Sequence, residues 1–457
     1  MEERRKQNGR RTFLKAGGIL AASGALGSIW ALVAGGTLGR STRKRPRWIR
    51  VADRPTLGEK TVDYKRFSGN DMFALYRPLK TQRDGAGAFE AEQASKAKRL
   101  AGWIGERKPG YSLPDVQLSE AAWTVMHSAT PGTGLLSWTR ISVRTPAELG
   151  SQRYTASPEE TAKTVKAAAR LYGAGLVGIA PMNENYINLQ APRQDEKQKD
   201  KEIVFDDVDV PEASDTRFVI PRKMKWVVAI AIPMDLDLLS STPTSLGDAA
   251  TAMGYSHSAF VVASLAEFIR GLGYQAIPCV NDTAQSVPFA VDAGIGELGR
   301  LNKLVTPEFG PAVRLCKVLT DLPMACDKPI DFGLVEFCKG CKKCAEACPS
   351  RALSFDDEPS FKTKGPWNNP GHKAWFEDSY KCLQHWQKVN SGCGICLASC
   401  PYSKGDQAWI HEAVKATASI APASDGVFRV MDDAFGYGKQ HDPEQWWTKN
   451  STPSRRG

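Results

Sequence analysis

The chain has 457 residues, 42% hydrophobic and 24% charged, which is long enough for two or three domains with a sizeable core. Its formal charge of +10 comes from residues 1–50, which hold twelve Lys and Arg and two acidic residues; the remainder carries 48 basic and 48 acidic residues. This neutral body excludes a protein built around a basic nucleic-acid-binding face, and we expect no nucleic-acid partner.

The first element is a leader that predicts export. Paired Arg10 and Arg11 precede Phe13, and a charge-free stretch rich in Gly and Ala follows over residues 16–39. This order is typical of a twin-arginine signal. Seven glycines in these 24 residues disfavour the alternative, a transmembrane anchor. We assign residues 1–40 as a signal segment and expect the protein in the periplasm or at the outer face of the cytoplasmic membrane.

Residues 41–150 predict a segment of loops and short helices that wraps around a core. They are rich in Arg, Gly and Pro, and tryptophans are scattered at positions 48, 103, 123 and 138. We interpret these aromatic side chains mainly as packing, although aromatic residues also line ligand pockets.

Residues 151–330 predict an α/β core. Ser157 and Glu160 form a capping box for a helix that ends near Leu171, and a strand follows over 176–180. The same helix–Gly–strand order recurs over residues 258–280, and the apolar run 226–232 is typical of a strand buried on both faces. Residues 193–215, between them, are charged and predict an exposed insertion.

Three polar residues of this core are candidates for function. Tyr255 lies just before the helix predicted to begin at Ser258, Asn281 lies at the carboxyl end of a predicted strand, and Arg314 follows a Gly-Pro-Ala-Val stretch. Open α/β sheets bind ligands outside the carboxyl ends of their strands. A helix start, an Asx-turn and a surface arginine are the alternative interpretations. A nearby G-x-G-x-x-G spacing at 294–299 follows no Rossmann strand, which disfavours a nicotinamide site.

Eight cysteines in two runs predict two iron–sulfur clusters. The first run has the C-x2-C-x2-C-x3-C-P spacing of two-cluster ferredoxins, in which the fourth cysteine ligates the other cluster. On this logic one [4Fe–4S] cluster is bound by Cys338, Cys341, Cys344 and Cys400, and the other by Cys382, Cys393, Cys396 and Cys348. A zinc site or disulfides are the alternatives. We assign a ferredoxin-like domain to residues 331–410 and a tail to residues 411–457, and we predict a helix over 407–417.

Four stretches together carry a resemblance to a known family. They are the leader, residues 254–300 from GYSHSAF to GELGR, residues 306–323 (TPEFGPAVRLCKVLTDLP), and DKPIDFGLVEFC leading into the cysteines. In this combination the chain resembles the respiratory reductive dehalogenases. It departs from them at Leu301-Asn302-Lys303, where Asn-Gly is expected, and at Val280, where Gly is common.

The resemblance implies a nitroreductase-like, corrinoid-binding α/β (α+β) core. Its cobamide would be base-off, and two [4Fe–4S] clusters would feed it electrons to convert R–X, two electrons and a proton into R–H and halide. The resemblance assigns the proton donor to Tyr255, stabilisation of the phenolate to Arg314, and orientation of the substrate to Asn281. It implies cobamide contacts at Thr251, Gly294, Gly296, Gly299 and Arg300.

The resemblance also implies partners: an organohalide substrate, a small integral membrane anchor protein and a membrane electron donor. It leaves a homodimer open. Two other classes stay open as well. An epoxyqueuosine reductase, a related enzyme that acts on tRNA, is disfavoured by the leader and the neutral body. A non-catalytic exported ferredoxin would leave the α/β core without a role.

Overall fold

The computed structural model describes residues 46, 48–57, 84–139, 141–191, 201–403, 436 and 438–451. The twin-arginine leader and the helix predicted over 407–417 lie outside these residues. Within the described ranges, no helix is both long and apolar enough to cross a membrane.

The described helices are α1 (Ala86–Gly105), α2 (Leu113–Ala122), α3 (Thr124–His127), α4 (Pro158–Leu171), α5 (Leu236–Leu239), α6 (Ser245–Gly271), α7 (Ser286–Asp292), α8 (Leu334–Cys341), α9 (Lys343–Ala347), α10 (Ser379–Val389), α11 (Ile395–Ala398) and α12 (Pro443–Ser451). The described strands are β1 (Arg50–Val51), β2 (Pro131–Gly132), β3 (Leu136–Ser137), β4 (Leu176–Pro181), β5 (Gln190–Ala191), β6 (Lys201–Asp206), β7 (Glu212–Ala213), β8 (Arg217–Pro221), β9 (Trp226–Pro233), β10 (Ala276–Cys279), β11 (Glu297–Leu298), β12 (Leu304–Val305), β13 (Val313–Thr320) and β14 (Ile330–Asp331). Single 3-10 turns lie at Ala147–Leu149 and Glu184–Tyr186.

The core is a four-stranded sheet in the order β10–β13–β9–β4. Every neighbouring pair in it is antiparallel, so the rule for ligand sites at the carboxyl edge of a parallel sheet does not apply here. β9 and β10 run parallel to each other on either side of β13, and α6 connects them. The sequence predicted β4, β9 and β10 but not β13, because Arg314 and Lys317 interrupt its apolar pattern.

Apolar side chains cover both faces of this sheet, because successive residues of a strand point to opposite sides. Residues 228, 230 and 232 of β9 pack in one cluster with α4 and α6. Residues 227, 229 and 231 pack in a second cluster with α7. Each fully buried aliphatic side chain contributes about 1.5–3 kcal/mol. The predicted double burial of this strand is therefore what holds the helices to the sheet.

α6 begins at Ser245, thirteen residues before the predicted start at Ser258, and Tyr255 lies within it rather than ahead of it. Gly247 and Gly254 have a low intrinsic helix propensity, but both are required by packing. A Cβ at Gly254 would lie 2.9 Å from Arg314 Cγ, and one at Gly247 would lie 2.6 Å from the backbone nitrogen of Thr242. The missing side chain of Gly254 lets Arg314 cross the helix beside Tyr255.

The predicted insertion at 193–215 is mostly exposed over its described part, as expected, but it also contributes strands that the sequence did not predict. β6 pairs with β8 in parallel within a sheet ordered β5–β6–β8–β7. The interior of this sheet includes Ile203 and Phe218, and the Phe218 ring stacks on Trp138 with centroids 4.6 Å apart. Charged residues on both sides of the short apolar run 203–205 hid the strand.

The cysteine region packs on the core through short helices. A third apolar cluster joins residues of α8 and α11 to Leu239 and Leu246, next to the start of α6. In the tail, α12 packs close to α5, and Trp447 Nε1 donates to Asp115 Oδ1 at 2.7 Å. The wrapping segment contains the 20-residue α1, which is longer than the short helices expected there.

Candidate functional site

Tyr255, Asn281 and Arg314 lie far apart in the sequence and meet at one phenol oxygen. The Asn281 amide donates to Tyr255 Oη at 2.9 Å, and Arg314 Nη1 donates to the same atom at 3.5 Å. The Arg314 guanidinium also lies over the Tyr255 ring, 4.7 Å from its centroid. Two donors, one of them a permanent cation, would stabilise a negative charge on this oxygen.

Trp123 covers the Tyr255 ring. The two centroids are 5.3 Å apart and the ring planes differ by 23°. The indole Nε1 donates to Asp248 Oδ2 at 3.3 Å, and Asp248 Oδ1 accepts from the backbone nitrogen of Gly392 at 3.2 Å. One carboxylate of α6 therefore ties the ring above Tyr255 to the second cysteine run. Sequence reasoning missed Asp248 because its partners come from separate segments, and it treated Trp123 mainly as one of several packing aromatics.

A cavity of about 350 Å³ is lined by Tyr255, Asn281 and Arg314 and also by residues of the second cysteine run. Several polar atoms in its wall have no hydrogen-bond partner among the described residues. These atoms are Arg314 Nε, both amide atoms of Asn369, and His385 Nε2. An unpaired buried polar atom costs about 1–3 kcal/mol. The wall is therefore suited to a ligand that supplies the missing partners.

The eight predicted ligand cysteines divide between two cavities. A small cavity is lined by Cys338, Cys341, Cys344 and Cys400. The large cavity is lined by Cys348, Cys382, Cys393 and Cys396. No three His, Cys, Asp or Glu side chains of the described residues converge closely enough to hold a single metal ion.

Burial controls the protonation of these thiols. It raises the pKa of Cys338 to about 12 and that of Cys393 to about 11. Both would therefore be neutral as free thiols at pH 7, and a metal must displace their protons to be bound. Metal loading of these groups should release protons.

A family model described as "Reductive dehalogenase subunit" matches residues 44–324, and one described as "4Fe-4S double cluster binding domain" matches residues 337–403. The chain belongs to the reductive dehalogenase family. A tetrachloroethene reductive dehalogenase of Sulfurospirillum multivorans is 36% identical over 365 residues, 78% of this chain and 70% of that protein. One of Desulfitobacterium hafniense is 34% identical over 363 residues, 74% of this chain and 65% of that protein.

A solved reductive dehalogenase, described in connection with B12-dependent dehalogenation, shares the fold. It superimposes with a TM-score of 0.62 at 22% identity, over 87% of this chain and 50% of that one. The chain thus spans about half the length of this solved family member. The dehalogenase model covers the α/β core, so the family is not that of a simple ferredoxin.

The residues expected to contact a cobamide lie behind the wall of the large cavity rather than in it. Thr251 Oγ1 accepts from Arg314 Nη2 at 2.9 Å. A Cβ at Gly296 would lie 2.2 Å from the carbonyl oxygen of Val305, and Gly294 has a φ of 65° after α7. None of Thr251, Gly294, Gly296, Gly299 and Arg300 is among the described residues that line this cavity.

Arg300 lies beneath the first cysteine run and lines the small cavity rather than the large one, and its contact with a cobamide stays a prediction. Its side chain is buried, and Nε donates to the carbonyl of Cys338 at 2.8 Å. The remaining nitrogens donate to the carbonyls of Lys339, Ser354 and Asp356. Its guanidinium lies 4.7 Å from the centroid of Trp375. One cation therefore joins the backbone of residues 338–339 to that of residues 354–356.

Replacing Arg300 with Met should destabilise this region. The substitution removes all four hydrogen bonds and leaves buried carbonyls unpaired, so we expect a loss of about 3 kcal/mol or more. Thermal unfolding and iron content measure the effect. The control is Arg50→Met, which removes an exposed ion pair with Asp331 and should cost less than about 1 kcal/mol. Equal stability and iron in both variants would contradict this role for Arg300.

Glu297 predicts a pH dependence of stability. It is 2% exposed, its Oε2 accepts from the backbone nitrogen of Phe332 at 2.8 Å, and burial raises its pKa to about 7. The folded chain therefore keeps the proton of this carboxyl group up to about pH 7, whereas the unfolded chain, in which the pKa has its ordinary value of 4.5, releases it at lower pH. The contribution of this proton to the free energy of unfolding is fully present below pH 4.5 and is lost as pH rises towards 7.

We expect Glu297→Gln to remove this dependence. The wild-type chain should lose up to about 3 kcal/mol from this group between pH 4.5 and 7, whereas the variant should not. Thermal unfolding midpoints measured from pH 5 to 8 compare the two. The exposed Glu120→Gln serves as the control and should retain the wild-type slope. Parallel curves for wild type and Glu297→Gln would disprove this assignment.

Proposed function

We propose that this chain is the catalytic subunit of a reductive dehalogenase that serves as the terminal reductase of organohalide respiration. It would convert R–X, two electrons and a proton into R–H and halide. The observation that carries this proposal is that the Tyr255–Asn281–Arg314 group and the second cysteine run line the same cavity. The names of the relatives at 34% and 36% identity make tetrachloroethene the first substrate to test.

A base-off cobamide is the proposed occupant of the large cavity. The rim of a corrin ring carries amide side chains, which fit the unpartnered amide of Asn369 and the unpartnered His385 Nε2. The B12 dependence of the solved relative supports the same choice. When bound, the cobalt supplies the reducing power for cleavage of the carbon–halogen bond. Thr251 and the three glycines would support the wall from behind.

Tyr255 is the proposed proton donor. A tyrosine hydroxyl is one of the side-chain groups that act as general acids. Asn281 holds Oη at 2.9 Å, and Arg314, with Nη1 at 3.5 Å, would stabilise the phenolate once the proton has left. Trp123 would keep water from one face of the phenol ring. Asn281 would also orient the substrate or its halogen.

Two [4Fe–4S] clusters are the proposed electron relay. The first would be held by the four cysteines of the small cavity, and the second by the four cysteines of the large cavity. Each set takes one cysteine from the other run, as in two-cluster ferredoxins. The second cluster would therefore lie beside the cobamide, and the first would accept electrons from outside.

The proposal also includes the limits of the domains. We propose a signal segment (1–40), a wrapping segment (41–150), a nitroreductase-like core (151–330), a two-cluster domain (331–410) and a tail (411–457). A sheet with a long helix on one face supports the description of the core.

The leader favours twin-arginine export, and a small membrane anchor protein and a membrane electron donor would follow from that location. A homodimer is compatible with this arrangement.

Halide release tests the proposed activity. The anaerobic, cobamide-loaded protein is given tetrachloroethene and a chemically reduced viologen, and chloride and the dechlorinated ethene are measured. We expect both in equal amounts, and none without cobamide. Turnover of an epoxyqueuosine-containing tRNA in place of the organohalide would reject the proposal. So would oxidation of the viologen without halide release.

A further inference from the structure

Lys317 is a fully buried lysine in the middle of β13. Its Nζ donates to the carbonyl of Val280 at 2.7 Å, to the carbonyl of Ala284 at 2.6 Å and to Ser286 Oγ at 3.0 Å. Three acceptors match the three N–H groups of an ammonium ion. A buried charge is costly unless it is hydrogen-bonded. The lysine and these acceptors are therefore mutually dependent.

β13 sends its two cations to opposite faces of the sheet. Arg314 is on the same side as Cys316 and Val318, which pack against α6. Lys317 is on the other side, with Leu315 and Leu319, where α7 packs. One strand thus carries both the cation that contacts Tyr255 and the cation that fixes the segment between β10 and α7.

That segment, residues 280–286, carries Asn281. The Asn281 residue is exposed, so close packing does not fix its side chain, which donates to Tyr255 Oη. The carbonyls held by Lys317 belong to residues 280 and 284 and therefore bracket it. The backbone held by the lysine determines where the amide of Asn281 can reach.

We propose that Lys317 is a positioning residue for the dehalogenation: by holding residues 280–286 it places the Asn281 amide against Tyr255 Oη. This inference rests on the proposed function. Lys317 lines neither of the two cavities described above and acts only through Asn281. A misplacement of about 1 Å at a reacting group can lower turnover on the order of 10²-fold.

A double-mutant cycle tests the inference. Lys317→Met, Asn281→Ala and the double variant are compared in kcat and KM, with cobalt and iron content checked in each. We expect Lys317→Met to lower kcat about 10- to 100-fold, with KM changed by no more than about twofold. In the Asn281→Ala background the same change should have no further effect on kcat. Hydrogen exchange of the cofactor-free protein should show faster exchange confined to residues 280–286.

Two further variants keep the comparison interpretable. Lys317→Gln retains amide donors and replaces Lys317→Met if the latter does not fold. Lys166→Met removes a partly buried ion pair with Asp327 and serves as the control; its kcat should equal that of the wild type. The inference would be overturned if the kcat losses of the two single variants multiplied in the double variant, or if both Lys317 variants kept the wild-type kcat. Wild-type kcat in Asn281→Ala would instead remove Asn281 from the proposed mechanism, and the role of Lys317 with it.

Discussion

Tyr255→Phe is expected to lower turnover on the order of 10²- to 10⁴-fold, the contribution typical of a positioned general acid. The substitution removes only the hydroxyl that accepts from Asn281 and Arg314, and the ring can still stack under Trp123. Cobalt and iron content should therefore match the wild type. Steady-state turnover with tetrachloroethene, normalised to bound cobalt, measures the effect.

Tyr274→Phe is the matched control for this prediction. Its hydroxyl is part-buried and donates to the backbone carbonyl of Tyr154 at 2.9 Å, so the variant loses one hydrogen bond of similar quality. We expect it to lose some stability and to keep wild-type turnover. Normal turnover in Tyr255→Phe would remove this residue from the chemistry, whatever the control shows.

The second large effect is expected in the iron content of paired cysteine variants. If Cys348 and Cys396 ligate one cluster, replacing both with Ala removes that cluster alone and leaves about four iron atoms per chain. If Cys344 and Cys348 ligate different clusters, replacing both removes both clusters and leaves almost none. Iron and sulfide analysis of anaerobically purified protein measures how many clusters each double variant keeps.

The opposite result would contradict the crossed ligand sets. If each run held its own cluster, the Cys344–Cys348 double variant would keep about four iron atoms and the Cys348–Cys396 variant would lose all. Cys326→Ala, which changes an exposed cysteine outside both runs, is the control and should keep about eight. The three cysteines belong to the third apolar cluster and not to the two clusters that cover the faces of the sheet, so the sheet core should still fold in each double variant.

Local signals in the sequence predicted much of the fold. The capping box of α4 is present as expected, with Ser157 Oγ accepting from the backbone nitrogen of Glu160. The apolar run of β9 is a buried strand. The start of α6 could not be predicted, because Gly254 is a helix breaker in isolation and only the side chain of Arg314, 60 residues later, explains it. The antiparallel order of the sheet depends equally on pairings between distant segments.

The candidate site shows the same division. The cysteine spacing predicted two ligand sets, and the family resemblance selected Tyr255, Asn281 and Arg314 before their contacts were known. Trp123, Asp248 and Lys317 could not be assigned by these means, because their roles depend on a ring face, a shared carboxylate and two distant carbonyls. Arg300 belongs to a stretch that resembles the family, but the backbone carbonyls that it contacts cannot be inferred from residue types.

The most direct test of the central claim is a count of cobalt, iron and sulfide per chain in anaerobically purified, cobamide-supplied protein. We expect one cobalt with about eight iron and eight sulfide, as a cobamide and two [4Fe–4S] clusters require. Eight iron without cobalt, despite a sufficient cobamide supply, would show that the large cavity does not hold the cofactor and would contradict the proposed dehalogenation.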